Sequence, residues 1–77
     1  MKIKNIKDVP AFFDVIEHCS GDVFLVTEEG DKLNLKSKLC QVVALAGVFS
    51  LQEIPEMDLI ADDSEDAKKL IDFIGKQ

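Results

Sequence analysis

Cysteine is scarce in this chain of 77 residues: Cys19 and Cys40 are its two thiols, and neither belongs to a CxxC pair or to a Cys/His spacing of the zinc type. A disulfide scaffold is excluded, and two free thiols in a reducing cytosol are expected. Also missing is any lysine run interleaved with aromatics, and the net charge of −6 makes the average surface repel phosphate backbones. No nucleic-acid partner is expected. The N-terminal "MKIKNIKDVP" has no apolar core of the signal-peptide type. The most apolar stretch, "LCQVVALAGVF", falls well short of the roughly 20 residues that a membrane span needs. Both absences point to a cytoplasmic protein that does not insert into membranes. No glycine-rich phosphate loop or nucleophile–base arrangement stands out, so an enzyme is not expected. The acidic run Asp62, Asp63, Ser64, Glu65, Asp66 lacks the alternation and the glycine of a calcium loop. It reads as a solvated helix start, and no metal or cofactor is expected.

What is present is the composition of a globular chain, 47% hydrophobic with mixed charges. Seventy-seven residues allow one domain, 1–77, with a core too small to enclose a deep cleft. Function should therefore lie on a surface. Met1 to Lys7 alternates basic and apolar residues as a half-buried edge strand does. Asp8 can cap a following helix whose first turn accepts Pro10, and Phe12, Val15, Ile16 and Cys19 recur at i, i+3, i+4 and i+7 as its buried stripe. Asp14, Glu17 and His18 fall away from that stripe, Phe13 lies at its margin, and Ser20–Gly21 ends the helix.

Asp22 to Lys36 reads as a hairpin, with "DVFLVT" and "KLNLK" as its strands and "EEGD" as its turn. Leu33 and Leu35 face inward, and if Val23 and Leu25 do likewise, Phe24 and Val26 point to the other side. Ser37 can cap a second helix from Lys38 onward, so dense in apolar residues that it is expected to lie largely against the core, with Gly47 weakening its end. After Pro55, "MDLIAD" is a short strand with Met57, Leu59 and Ala61 on one face and Asp58 and Ile60 on the other. A third helix follows, capped by Asp63 or Ser64, burying Ala67, Leu70, Ile71 and Ile74 and stopped by Gly75. The order βαββαβα predicts an α+β, two-layer open-faced sandwich: a four-stranded antiparallel sheet with three helices on one face.

This order, the stretch "GDVFLVTEEGDKLNLKS" and the closing "LIADDSEDAKKLIDFI" resemble HPr, the phosphocarrier protein family of the bacterial sugar phosphotransferase system. The resemblance spans nearly the whole chain. Its most specific part leads into Lys36 and Ser37, where family members read valine, asparagine or aspartate, a small or aliphatic residue, lysine, serine. The family passes phosphate through the histidine of a His-Ala-Arg-Pro stretch at the start of the first helix. Aligned on Pro10, Lys7 occupies the histidine position and Val9 the arginine position. A protonated amine is no nucleophile, and the bidentate clamp is gone with the arginine. The resemblance thus implies a phosphotransferase-system relative lacking the phosphocarrier histidine, with no catalytic residue of its own.

The same resemblance makes Ser37 a candidate for regulatory phosphorylation, beside its role as a helix cap. A phosphate there would sit at a helix N-terminus between Lys36 and Lys38. Phe13, Leu39 and Val42 correspond to the family's partner-binding surface, so a protein partner from the phosphotransferase or regulatory machinery is expected. The chain carries extra residues between Ser37 and the last strand, and "GVFSL" is an alternative match to the family's short second helix. Two other functions remain open: a phosphocarrier using an unconventional residue such as His18, and a dimerising structural module. For the latter, Phe24, Val26 and Ile60 form an apolar patch on the uncovered face of the sheet, suited to a weak homodimer.

Overall fold

Along two neighbouring strands, Val23, Leu25, Met57 and Leu59 alternate with Phe24, Val26, Asp58 and Ile60, and this alternation decides which face of the sheet is covered. A computed structural model of the chain describes residues 1–4, 6–50 and 56–76. Asn5 of the expected first strand, Leu51 of "GVFSL" and Pro55 lie outside the described residues. The elements are β1 (Lys2–Ile3), α1 (Val9–Glu17), β2 (Val23–Val26), β3 (Lys32–Asn34), α2 (Lys38–Gly47), β4 (Met57–Ala61) and α3 (Ser64–Lys76). The strands form one antiparallel sheet in the order β1-β4-β2-β3, with Leu25 opposite both Leu33 and Leu59, and Phe24 opposite both Asn34 and Ile60. The α+β open-faced sandwich expected from the sequence is what forms.

Val23, Leu25, Leu35, Met57 and Leu59 are buried with Ile3 and Ile6 against Phe12, Ile16 and Cys19 of the α1 region, Ala44 of α2 and Leu70 of α3. The hairpin turn closes through Thr27, whose amide donates to the Asp31 carbonyl at 2.9 Å and whose carbonyl accepts from the Gly30 amide at 3.0 Å. Gly30 takes φ 90° there, a conformation that a side chain would strain. The helix caps follow the sequence: Asp8 Oδ1 accepts from the Ala11 amide at 3.1 Å, and Asp63 Oδ1 accepts from the Glu65 amide at 2.8 Å. Phe12 stands at the centre of an aromatic cluster, with ring centroids 5.7 Å from Phe13, 5.9 Å from Phe49 and 6.1 Å from Phe73.

Four expectations are corrected. The first strand covers only Lys2–Ile3, which face Asp58 and Met57 of β4, while Met1 adds a reciprocal pair of backbone bonds with Leu59. The second helix does not lie largely against the core: Ala44 is its one fully buried residue, and Leu39, Val42, Val43 and Leu45 face solvent. Its apolar residues surround the helix, and a small sheet covers only one side of it. In α3, Ile71 is exposed, Ala67 and Ile74 are half-buried, and the helix runs through Gly75 to Lys76.

The fourth correction is to the acidic run, which is not wholly solvated, since Asp66 is 1% exposed. Its carboxylate accepts the amides of Gly21 at 2.7 Å and Ser20 at 3.0 Å, just beyond the end of α1. These two bonds hold the Asp66 carboxyl below its usual pKa, against the opposing effect of burial, and Lys69 helps. A carboxyl depressed in the folded state stabilises the protein above its unfolded pKa of about 4, and this contribution fades as pH falls through the folded value. Asp66→Asn keeps the shape but turns an amide NH2 toward a backbone donor. We expect it to melt roughly 5 °C or more below the parent at pH 7, and the gap to close as the pH is lowered from about 4 to about 2. A gap that stays constant over this range in thermal melts followed by circular dichroism would refute the assignment.

Candidate functional site

The end of α1 and the residues just past it leave carbonyl oxygens facing outward from the helix. The Lys36 ammonium gathers three of them, donating to Ile16 O at 3.2 Å, Glu17 O at 3.3 Å and, beyond the helix, Cys19 O at 2.7 Å. The Lys69 ammonium donates to the next one, His18 O, at 3.3 Å. A cation at a helix C-terminus also opposes the negative end of the dipole. Lys36 can reach there because the Asn34 side chain turns the chain after β3, accepting the Lys36 amide at 3.0 Å.

Ser37 follows immediately. Its hydroxyl oxygen accepts the Cys40 amide at 3.5 Å, so the serine does cap α2 as its sequence position suggests. The two amines expected to flank a phosphate on Ser37 are both turned toward α1 instead. Lys36 holds the carbonyls just described, and Lys38 Nζ lies 2.9 Å from Glu17 Oε1. Gln41 completes the junction, donating to the same carboxylate oxygen at 3.0 Å and to Leu35 O at 2.7 Å. The bonds from Lys38 and Gln41 hold the Glu17 carboxyl below its usual range. A phosphate on Ser37 would therefore compete with Glu17 for Lys38.

The N-terminal end of α1 carries the Lys7 and Val9 positions singled out in the sequence. Lys7 is exposed there, and the neighbouring Asp8 already gives its carboxylate to the first turn. A negative group arriving at that turn would meet the negative charge of Asp8. All nine cationic side chains of the protein are lysines, so no guanidinium is available anywhere to clamp a phosphoryl group in two-point fashion. His18 is far along the chain from this end, and its Nδ1 lies 2.8 Å from Asp14 O. The thiol of Cys19 is pushed up by burial, with Asp66 adding to the effect.

Phe13, Leu39 and Val42 fall on two adjoining surfaces. Phe13 is half-buried and walls a groove of about 440 Å³ between α1 and α2, which Val9, Pro10, Gln41, Leu45 and Phe49 complete. Leu39 and Val42 stand out from α2, 74% and 61% exposed, with Val43 at 49% and Leu45 at 44% beside them. Leu45 lies one helical turn from Val42 and lines the groove, which joins the two surfaces into one apolar face. On the other side of the sheet, Phe24 and Ile60 are neighbours across β2 and β4, with Val26 further along β2. That patch is partly covered: the Lys32 ammonium sits 4.5 Å from the centre of the Phe24 ring, and Lys2 pairs with Asp58 at 3.4 Å. Of "GVFSL", Gly47 is the last residue of α2 and residues 48–50 form a turn.

Among the described residues no group of three or more His, Cys, Asp or Glu side chains is placed to hold a metal ion, and no helix is long and apolar enough to cross a membrane. Sequence reasoning missed the roles of Lys36, Gln41 and Asp66, whose partners lie 17 to 20, 6 and 24, and 45 to 46 residues away respectively. Comparison with family models, with curated proteins and with solved structures finds no match for this chain.

The Lys36 bonds set a measurable stability. Lys36→Met keeps the aliphatic stem but leaves three carbonyls without their charged donor. We expect it to cost about 1.5–3 kcal/mol. Lys36→Arg should recover part of that loss. Equal urea midpoints for the parent and Lys36→Met would show that the ammonium contributes nothing.

Proposed function

We propose that the chain is an HPr-related protein of the phosphoenolpyruvate-dependent sugar phosphotransferase system, cytoplasmic and bacterial, which does not carry phosphate itself and acts as a regulatory or protein-binding module. The observation that carries the binding role is the continuous apolar face formed by Leu39, Val42 and Leu45 with the groove walled by Phe13. Adjoining exposed apolar side chains beside a groove fit a contact surface. The phosphotransferase assignment rests on the resemblance of the hairpin running into Lys36 and Ser37. The loss of the carrier role is supported by Lys7 and Val9 at the positions of the family's histidine and arginine, and by the Asp8 carboxylate already engaged at the start of α1.

Ser37 is the proposed point of regulation. A phosphate on its hydroxyl, or an aspartate in its place, would draw Lys38 away from Glu17 and loosen the α1–α2 junction beside the binding face. Titration of isotope-labelled protein with the phosphotransferase proteins of its own cell, followed by NMR, tests the reading. Shifts confined to Phe13, Leu39, Val42 and their neighbours are expected, with Ser37→Asp changing the affinity several-fold. Incubation with enzyme I and labelled phosphoenolpyruvate should leave the protein unlabelled. An acid-labile label that disappears on replacing His18 would establish the phosphocarrier role instead, and the absence of binding to every phosphotransferase component would reject the assignment.

A further inference from the structure

The outward side of α2 carries Leu39, Val42, Val43 and Ala46, all exposed and spaced i, i+3, i+4 and i+7. This is the spacing of a helix seam, and it lies opposite the side that buries Ala44. Helix α2 therefore has two apolar sides, of which the sheet covers one. We propose that a second copy of this chain covers the other, with the two α2 helices packed antiparallel about a two-fold axis. The inference concerns this stripe alone and stands whether or not the chain serves a phosphotransferase system.

Three features favour a second copy. First, the stripe is complementary to its own reverse. An antiparallel pair centred between Val42 and Val43 sets the large Leu39 of each copy against the small Ala46 of the other, and Val42 against Val43. A parallel pair would crowd leucine on leucine and leave a gap between the alanines. Second, the charges fit. Helix α2 contains one charged residue, Lys38, at its first turn, and reversal brings each Lys38 to the C-terminal, negative end of the partner's helix. Third, the chain carries 15 acidic residues and a net charge of −6, yet α2 has no acidic residue at all. It is thus a surface where two copies can approach without direct carboxylate repulsion. A lipid surface fits less well, because one lysine on the helix and an acidic remainder give no attraction to anionic headgroups. The sheet patch at Phe24 is the weaker face for self-contact, since Lys32 and the Lys2–Asp58 pair lie across it.

Sedimentation equilibrium of the full chain from micromolar to millimolar concentration, with Phe24→Ser as a control, provides the test. The mass should rise with concentration from 8.6 kDa toward twice that value in both proteins. Leu39→Glu should remain folded, because an acid in the first turn of a helix favours it. It should weaken the dimer by about 100-fold or more, as expected when a carboxylate loses water without gaining a partner. In a Cys40→Ser background, a mixture of Leu39→Cys and Ala46→Cys proteins should form a crossed disulfide faster than either protein alone. A monomer at every concentration would overturn the proposal, as would a dimer unaffected by Leu39→Glu or abolished by Phe24→Ser. Binding of the monomer to vesicles containing phosphatidylglycerol, lost in Leu39→Glu, would replace the second copy with a membrane surface.

Discussion

The end of α1 is the point on which the layered arrangement depends. A helix end packed beside other elements needs donors for its last carbonyls and, where the chain turns back, acceptors for the amides beyond them. Here Lys36 arrives from the end of the hairpin and Lys69 from α3 to supply the donors, and Asp66 of α3 supplies the acceptor for the amides of Ser20 and Gly21. Three separate parts of the chain thereby meet at one turn. The apolar core alone would hold the helices over the sheet, but this set of directional bonds decides how α1 lies against α3 and where the hairpin hands over to α2.

That junction also connects the fold with the exposed apolar face of α2. Lys36 and Ser37 are neighbours, yet one secures α1 and the other begins α2, and Glu17 ties the two helices together through Lys38 and Gln41. A change in charge at Ser37 would act through Lys38 on the helix that bears Leu39 and Val42. Regulation and recognition would then share one helix without sharing atoms. The phosphotransferase reading and the pairing of α2 with a second copy both draw on this helix, and a dimer would shield Leu39 and Val42 from other partners.

The hairpin, the third helix and the fourth strand were legible because their signals are local. Alternation over "DVFLVT" and "KLNLK", a turn containing Gly30, and Met57 and Leu59 on one face of β4 follow from strand periodicity alone. Helix α1 was equally plain in its stripe of Phe12, Val15, Ile16 and Cys19, of which Val15 is half-buried. Helix α2 was legible as a helix but not in its placement, because periodicity cannot assign a buried side when apolar residues surround the axis. Ile71 was misplaced for a related reason: the inward position on α3 depends on the sheet and on α1, which bury Leu70 and Asp66 instead.

By itself the sequence determined the order of elements, the caps at Asp8 and Ser37, and the inward face of β2 and β4. These follow from contacts made within a few residues, where backbone geometry leaves few choices. Only the tertiary structure decided that Asp66 is buried, that Lys36 spends its charge on α1, and that the densest apolar helix shows one side to solvent. Each of these depends on partners 17 to 46 residues distant or on how much surface a four-stranded sheet can cover. Such matters are settled by packing in three dimensions, which local pattern does not encode.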